Sequence, residues 1–342
     1  MIDLLVAGAG PAGAATAIRA AMSGLSVVVV EPRAAPIDKA CGEGIAHSAV
    51  EYLGRLGVEL SGRPFHGIRY LDAHHQVDAR FHAGPGLGVR RTTLHRALID
   101  RLASLDVPVV DARVGPITQN TTSVTAAGYT ARYLAAADGL HSGIRRQLGL
   151  NSTPTSGAAG AVRRGLRQHF SVAPWTDLVE VYWSPLGEAY VTPVADDLVG
   201  VAVLTSARGT FDSHLDAFPA LKRRLRGACP ANAVMGAGPL RQRVRARVAG
   251  RVLLVGDAAG YVDALTGEGI AVALRTSAEL VRCVEQDRPA DYDAAWRRVS
   301  WECRLLTGSL LWARNRSLLA PRIVPAAALL PGLYTRIVNR LA

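Results

Sequence analysis

The sequence predicts an α/β (mixed α+β) chain: a parallel-sheet unit at the N-terminus, an inserted antiparallel sheet, and helices at the C-terminus. Three observations predict it. Ile2 to Ala7 is a short apolar run with β character that meets a glycine-rich turn and then a helical pattern. Between about Ser152 and Arg247 the pattern changes to short runs rich in β-branched and aromatic residues, as in hairpin-linked strands. From Arg304 onward, arginines interleave with Leu, Ile, Val, Trp312 and Tyr334, as on an amphipathic helix.

The first unit is the most sharply specified. The strand Ile2–Ala7 ends in Gly8-Ala9-Gly10-Pro11-Ala12-Gly13, a helical pattern runs to about Met22, and Leu25 to Val30 gives a valine-rich second strand ending at Glu31. This is the strand, GxGxxG, helix, strand, acid order of a dinucleotide-binding βαβ unit. Gly8 permits the tight turn, Gly10 admits a pyrophosphate to the backbone, and Gly13 lets the helix pack on the strand. The helix start at Pro11 and Ala12 offers free N–H groups to phosphate. Glu31 can accept both ribose hydroxyls and disfavours a 2′-phosphate, and Arg33 completes this candidate set. The unit alone does not separate FAD from NAD.

Two later stretches choose FAD. Tyr133 to Asp138-Gly139 reads as a strand and turn, with Ser142 able to cap the next helix and Arg145 one turn in. Arg251 to Val255 is an apolar strand running into Gly256-Asp257, where a carboxylate can accept from ribityl hydroxyls. Thr266-Gly267-Glu268-Gly269-Ile270 then opens a long helix, expected from about Gly269 to Glu285. Its N–H groups would stabilise electron density at the pyrimidine end of a reduced flavin.

With these residues in order, the chain resembles the FAD-dependent hydroxylases and reductases of para-hydroxybenzoate-hydroxylase-like fold, over about its first 285 residues. Within them it is most similar to geranylgeranyl reductases. Lys39-Ala-Cys41-Gly42-Glu43-Gly44-Ile45 looks like their K-x-C-G-E/G-G loop, and Asp263 to Ile270 like their D-P-L-T-G-E-G-I loop, with Ala264 in place of proline. The resemblance implies that Cys41 and Gly42 lie beside the flavin ring, that Arg91 contacts the flavin, and that Val114 offers a backbone contact to adenine. Ala189-Tyr190-Val191-Thr192-Pro193 falls where these reductases carry an aromatic Y-x-W-x-F-P-like segment, without its tryptophan. It also lacks the W-x-W-x-I-P of flavin halogenases, which disfavours halogenation.

The domain expectation follows. A Rossmann-like FAD-binding domain takes residues 1–150 plus 246–290, a substrate-binding sheet 151–245, and a helical segment 291–342. Val179 to Trp183, Glu188 to Pro193 and Leu198 to Thr205 read as antiparallel strands, and Phe211 to Arg226 as a helix. Tyr182, Trp183 and Tyr190 are candidate pocket aromatics, with plain packing as the alternative. Cys41 and His47 are the candidate catalytic groups; each has an ordinary structural role as its rival.

Composition excludes other classes. Net charge is +11, yet only Lys39 and Lys222 are lysines and the arginines are scattered, so nucleic-acid binding is not expected. Cys41, Cys229, Cys283 and Cys303 form neither a CxxC nor a metal spacing, so no metal and no disulfide framework is expected. The start lacks the basic leader of a signal peptide, and no apolar run reaches ~18 residues, so a cytoplasmic location is expected. Residues 304–342 hold six arginines and no acid, suiting either an anionic membrane surface or helices packed on the flavin domain.

No second GxGxxG unit exists, so NADPH or NADH would bind transiently, or a separate reductase would donate electrons. The substrate expected is a hydrophobic small molecule. C=C reduction is the leading chemistry. Hydroxylation of an aromatic or polyketide-like substrate by a monooxygenase is its rival. Electron transfer at a membrane surface and NAD binding without flavin are the further alternatives.

Overall fold

The computed structural model describes residues 1–152 and 162–341; residues 153–161, near the start of the expected substrate domain, lie outside the described residues. The first sheet is built on Ile2–Ala7. This strand pairs in parallel with Val27–Val30 on one side and Tyr129–Ala136 on the other. Val252–Leu254 adds in parallel to Tyr129–Ala136, and Val109–Val110 to Val27–Val30. Leu4, Leu5 and Val6 are fully buried, so neither side of this strand meets water, which explains why it is apolar without alternation. Pro11–Met22 and Gly269–Glu285 pack against each other on this sheet.

The second sheet has the order Cys229–Pro230, Arg164–Ser171, Leu198–Thr205, Gly187–Ala195, Val179–Ser184, Gly67–Leu71, Gln76–Arg80, with Met235–Ala237 also on Arg164–Ser171. The three hairpin-linked strands expected from the sequence are present and antiparallel. The sheet is not confined to residues 151–245, however. Gly67–Leu71 and Gln76–Arg80 come from within 1–150 and join through one parallel pairing, Ile68 opposite Val179. The loop carrying Cys41 is flanked by Gly44–Ile45, which joins Gly86–Gly88 and Arg63–Phe65 in a small third sheet.

The helix expected over Phe211 to Arg226 is two helices, Phe211–Leu215 and Pro219–Arg224. Pro219 brings no N–H, and its ring would strike the Leu215 carbonyl of a continuous helix. The pair still buries Phe211, Leu215, Phe218 and Leu221 against the back of the second sheet. At the C-terminus, Tyr292–Arg314 packs on Gly269–Glu285. Ile323–Leu329 and Pro331–Leu341 instead close over the second sheet. The Tyr334 ring lies 4.8 Å from that of Tyr70, tilted by 48°, and its hydroxyl donates to the Ile68 carbonyl at 3.3 Å. No helix among the described residues is long and apolar enough to cross a membrane.

Candidate active site

The nucleotide loop has the geometry its glycines permit. Gly8 sits at φ +104°, and a Cβ there would lie 2.6 Å from the Ala137 carbonyl oxygen; one on Gly13 would lie 1.8 Å from the Gly8 carbonyl oxygen. The Pro11–Met22 helix has no side-chain cap, so its first-turn N–H groups stay open. Glu31 is buried at the strand end. Burial works against its ionisation, but the Arg33 guanidinium at 2.7 Å and the Ala9 N–H at 3.0 Å hold its carboxyl below the ordinary range.

A single cavity of about 830 Å³ joins this loop to the other two expected flavin stretches, a volume within the range of cofactor sites. Its wall includes Gly10, Pro11, Ala12, Arg33, Cys41, Gly42 and Arg91, then Asp138 and Gly139, then Gly256, Asp257, Gly267, Gly269 and Ile270. Residues more than two hundred positions apart therefore face one space: the Lys39 ammonium meets the Asp257 carboxylate at 3.0 Å. Ala264, the departure from the reductase loop, also lines the wall.

The wall suits a flavin dinucleotide. Arg91 opens the Arg91–Ser104 helix and is 6% exposed, and its Nη1 has no protein partner. A Cβ on Gly10 would lie 3.9 Å from Arg91 Nη2, so guanidinium and phosphate loop face the same space. Burial depresses this guanidinium, the signature of a cation short of an anion. A diphosphate between Gly10 and Arg91 would satisfy both.

Several expected residues stand behind the wall or outside it. Ser142 is fully buried and accepts from the Arg145 N–H at 2.9 Å, capping Gly143–Gln147. Arg145, 2% exposed, donates to the Ala258 and Leu140 carbonyls, both at 3.0 Å, and so fastens the Asp138 turn to the Asp257 turn. Val114 packs at the edge of the first sheet's core, away from the cavity. His47 faces Pro85 and Glu51 instead of the cavity. Of the three aromatics, Tyr190 lines the cavity and donates to the Leu265 carbonyl at 2.7 Å. Tyr182 turns into the core behind the sheet, its hydroxyl on Glu180 at 2.6 Å, and Trp183 packs on Tyr70 at 5.3 Å.

Cys41 lies in the wall, and its Sγ accepts the Glu43 N–H at 3.4 Å. Burial first and the Glu43 charge second push its thiol up, so Sγ keeps its proton. Beneath it runs a buried relay that sequence reasoning missed. Glu43 accepts the Arg91 N–H at 2.8 Å on one oxygen and meets His169 Nε2 at 2.5 Å with the other. Asn232 fixes the tautomer: its Oδ1 accepts the His169 backbone N–H, so its amide nitrogen donates to Nδ1 at 2.7 Å and the ring proton sits on Nε2. Glu43 was already in view inside the glycine loop; His169 carried no signal, being one histidine in a strand.

The loop from Asp263 to Ile270 is braced from both sides. Arg163 donates to Asp263 at 2.9 Å and to Glu188 at 2.7 Å, and Thr266 bonds Thr307 of the C-terminal helix at 2.8 Å. Among the described residues, no cluster of His, Cys, Asp and Glu could hold a metal ion.

Residues 1–182 match the FAD-binding domain family. Menaquinone reductase of Mycolicibacterium smegmatis is 29% identical over 323 residues, covering 86% of this chain and 79% of its own. Digeranylgeranylglycerophospholipid reductase 2 of Methanosphaera stadtmanae is 26% identical over 299 residues, covering 80% and 75%. Among solved structures, the flavin-dependent brominase Bmp2 superposes with a TM-score of 0.83 at 16% identity, covering 99% of this chain and 93% of its own. A flavoprotein/dehydrogenase from Cytophaga hutchinsonii does so at 0.79 and 17%, covering 99% and 95%. At such identities the superpositions speak for the fold alone. The expected flavin fold and cofactor are thereby met, the NAD-only alternative is set aside, and the chain belongs to the FAD-binding domain family as an FAD-dependent oxidoreductase related to geranylgeranyl-type reductases.

Proposed function

We propose that this oxidoreductase reduces a C=C bond of a hydrophobic, isoprenoid-like small molecule, with NADPH or NADH as transient electron donor. The observation that carries the reading is the apolar arm of the cavity. Past the Cys41 loop it is walled by Ile68, Tyr70, Phe81, Val181, Leu310 and Ile323. Such a lining favours an aliphatic chain and excludes water. A cavity continuing past the ring site also argues against a flavoprotein that only relays electrons. The relatives named as reductases of menaquinone and of digeranylgeranylglycerophospholipid support the same class.

Bound FAD, once reduced, supplies a hydride to one carbon of the double bond. The chain's own residues do the rest. In this reading Arg91 and the Gly10 loop hold the diphosphate, Glu31 the ribose, and Asp257 the ribityl chain after exchanging its contact with Lys39. The N–H groups from Gly267 to Ile270 would serve the pyrimidine edge. Cys41 Sγ, in the cavity wall, is placed to give the second carbon its proton and to regain one from solvent as product leaves. Thr192 steadies that loop by donating to the Gly42 carbonyl at 2.7 Å.

The test is the FAD-loaded protein with NADPH, or with chemically reduced flavin, and a polyprenyl lipid or prenylated quinone without oxygen. A product heavier by two hydrogens is expected. The same mixture under air would establish the hydroxylase reading instead if it took up oxygen and gave a product heavier by one oxygen.

A further inference from the structure

The apolar arm of the cavity does not close inside the protein. Leu330, Leu333 and Ile337 line it and are also exposed, at 57%, 51% and 39%, so they form its rim. Ser309 and Ala313 face both the cavity and an open groove of about 510 Å³ along the outer side of the Tyr292–Arg314 helix. The mouth lies between that helix and the last two.

The surface around this mouth is apolar to an unusual degree. Eight of the fourteen exposed large apolar side chains among the described residues fall between Trp301 and Ile337. Trp301, Leu305 and Trp312 share one helix face by their spacing, and Leu318 and Leu329 stand 74% and 80% exposed. Contiguous exposed apolar surface of this kind marks an interaction site.

Its charge says with what. Residues 304–342 contain no acid. Arg314 and Arg340 are engaged by Glu188 and Glu302, but Arg304, Arg316, Arg322 and Arg336 are exposed and belong to none of the ion pairs among the described residues. Arg316 lies 5.1 Å over the Trp312 ring, pairing cation and aromatic as at a membrane interface. A second copy pressed on this face would set these arginines against their own images, and the nearby Glu302 is already engaged by Arg340. An anionic bilayer supplies both the counter-charge and the apolar phase.

We propose that this C-terminal face docks on an anionic lipid bilayer, with the cavity mouth against the acyl region, so that an apolar substrate enters sideways without crossing water. The entry route rests on the proposed substrate class; the docking does not.

The FAD-loaded protein is sedimented with phosphatidylcholine vesicles, with or without phosphatidylglycerol. Partition onto the anionic vesicles at least about tenfold stronger, and weakened by salt, is expected. Brominated acyl chains should quench part of the tryptophan fluorescence. The combined variant Trp301→Ser, Trp312→Ser, Leu318→Ser and Leu329→Ser, outside the cavity wall, should stay in the supernatant with its flavin absorbance intact. Should that variant lose flavin, Leu329→Glu alone carries the same test. Changing Arg304, Arg316, Arg322 and Arg336 to Gln should abolish the preference for anionic lipid. Equal partition of native and apolar variants, or no partition of either, overturns the proposal. So does a native dimer in sedimentation velocity that the apolar variant breaks, since a second copy would then cover the face. A failure of C=C reduction would leave the partition unchanged, so the two readings fall separately.

Discussion

His95 is fully buried, and its Nδ1 accepts the Ile37 N–H at 3.3 Å. Burial first and the Arg91 charge second bring its pKa from 6.5 to about 4. The folded chain thus keeps this ring neutral while the unfolded chain protonates it below 6.5. Stability from this group is whole above that pH and falls on acidification towards pH 4, by up to about 1.4 kcal/mol per pH unit. The unfolding temperature of the apoprotein should therefore drop more steeply between pH 6.5 and 4.5 than that of His95→Gln; parallel curves would refute a neutral buried ring. The residues most legible in the sequence were those whose chemistry is local. Gly8, Gly13, Glu31 and Asp257 announce themselves by their place in a strand-and-turn pattern. His169 does not, because its partner Glu43 is more than a hundred residues away; Arg145 was visible in its stretch, but its partner, the Ala258 carbonyl, just as distant, was not.

Elements show the same division. The helix from Gly269 to Glu285 and the strand Ile2–Ala7 match their sequence readings because local periodicity decides them. Gly67–Leu71 and Gln76–Arg80 were invisible as members of the second sheet, since their partner strand lies far along the chain; Arg69 stands opposite Glu180. The break at Pro219 was readable in principle, and the apolar spacing on either side of it concealed the interruption. At this scale the contact between the first helix and its strand is the most exacting. Gly13→Ala puts a Cβ 1.8 Å from the backbone oxygen of Gly8, which no rotamer relieves. The helix must lift from the strand, and its N–H groups leave the phosphate position. The variant should lose FAD, by at least about a hundredfold in affinity, as read from flavin fluorescence on titration. Native-like retention would show that the loop tolerates a side chain there.

At the scale of the whole molecule, one space is shared by two sheets and the C-terminal helices, with the nucleotide loop at one end and the Leu330 rim at the other. Of the two placements left open for residues 304–342, packing on the flavin domain describes Tyr292–Arg314 only; the final two helices pack on the second sheet. That placement has a consequence for selectivity. A blind tunnel measures its guest, but a tunnel open at the far end cannot act as a ruler. A tail longer than the arm simply trails beyond the rim. Discrimination must then fall on the part of the guest beside Cys41 and Tyr190, the head and the first double bond. Homologous polyprenyl compounds with identical heads and growing tails should be turned over with kcat/KM values within about threefold of one another, since added methylenes past the rim gain no protein contact. A sharp optimum in tail length would mean that Leu330, Leu333 and Ile337 close behind the bound molecule.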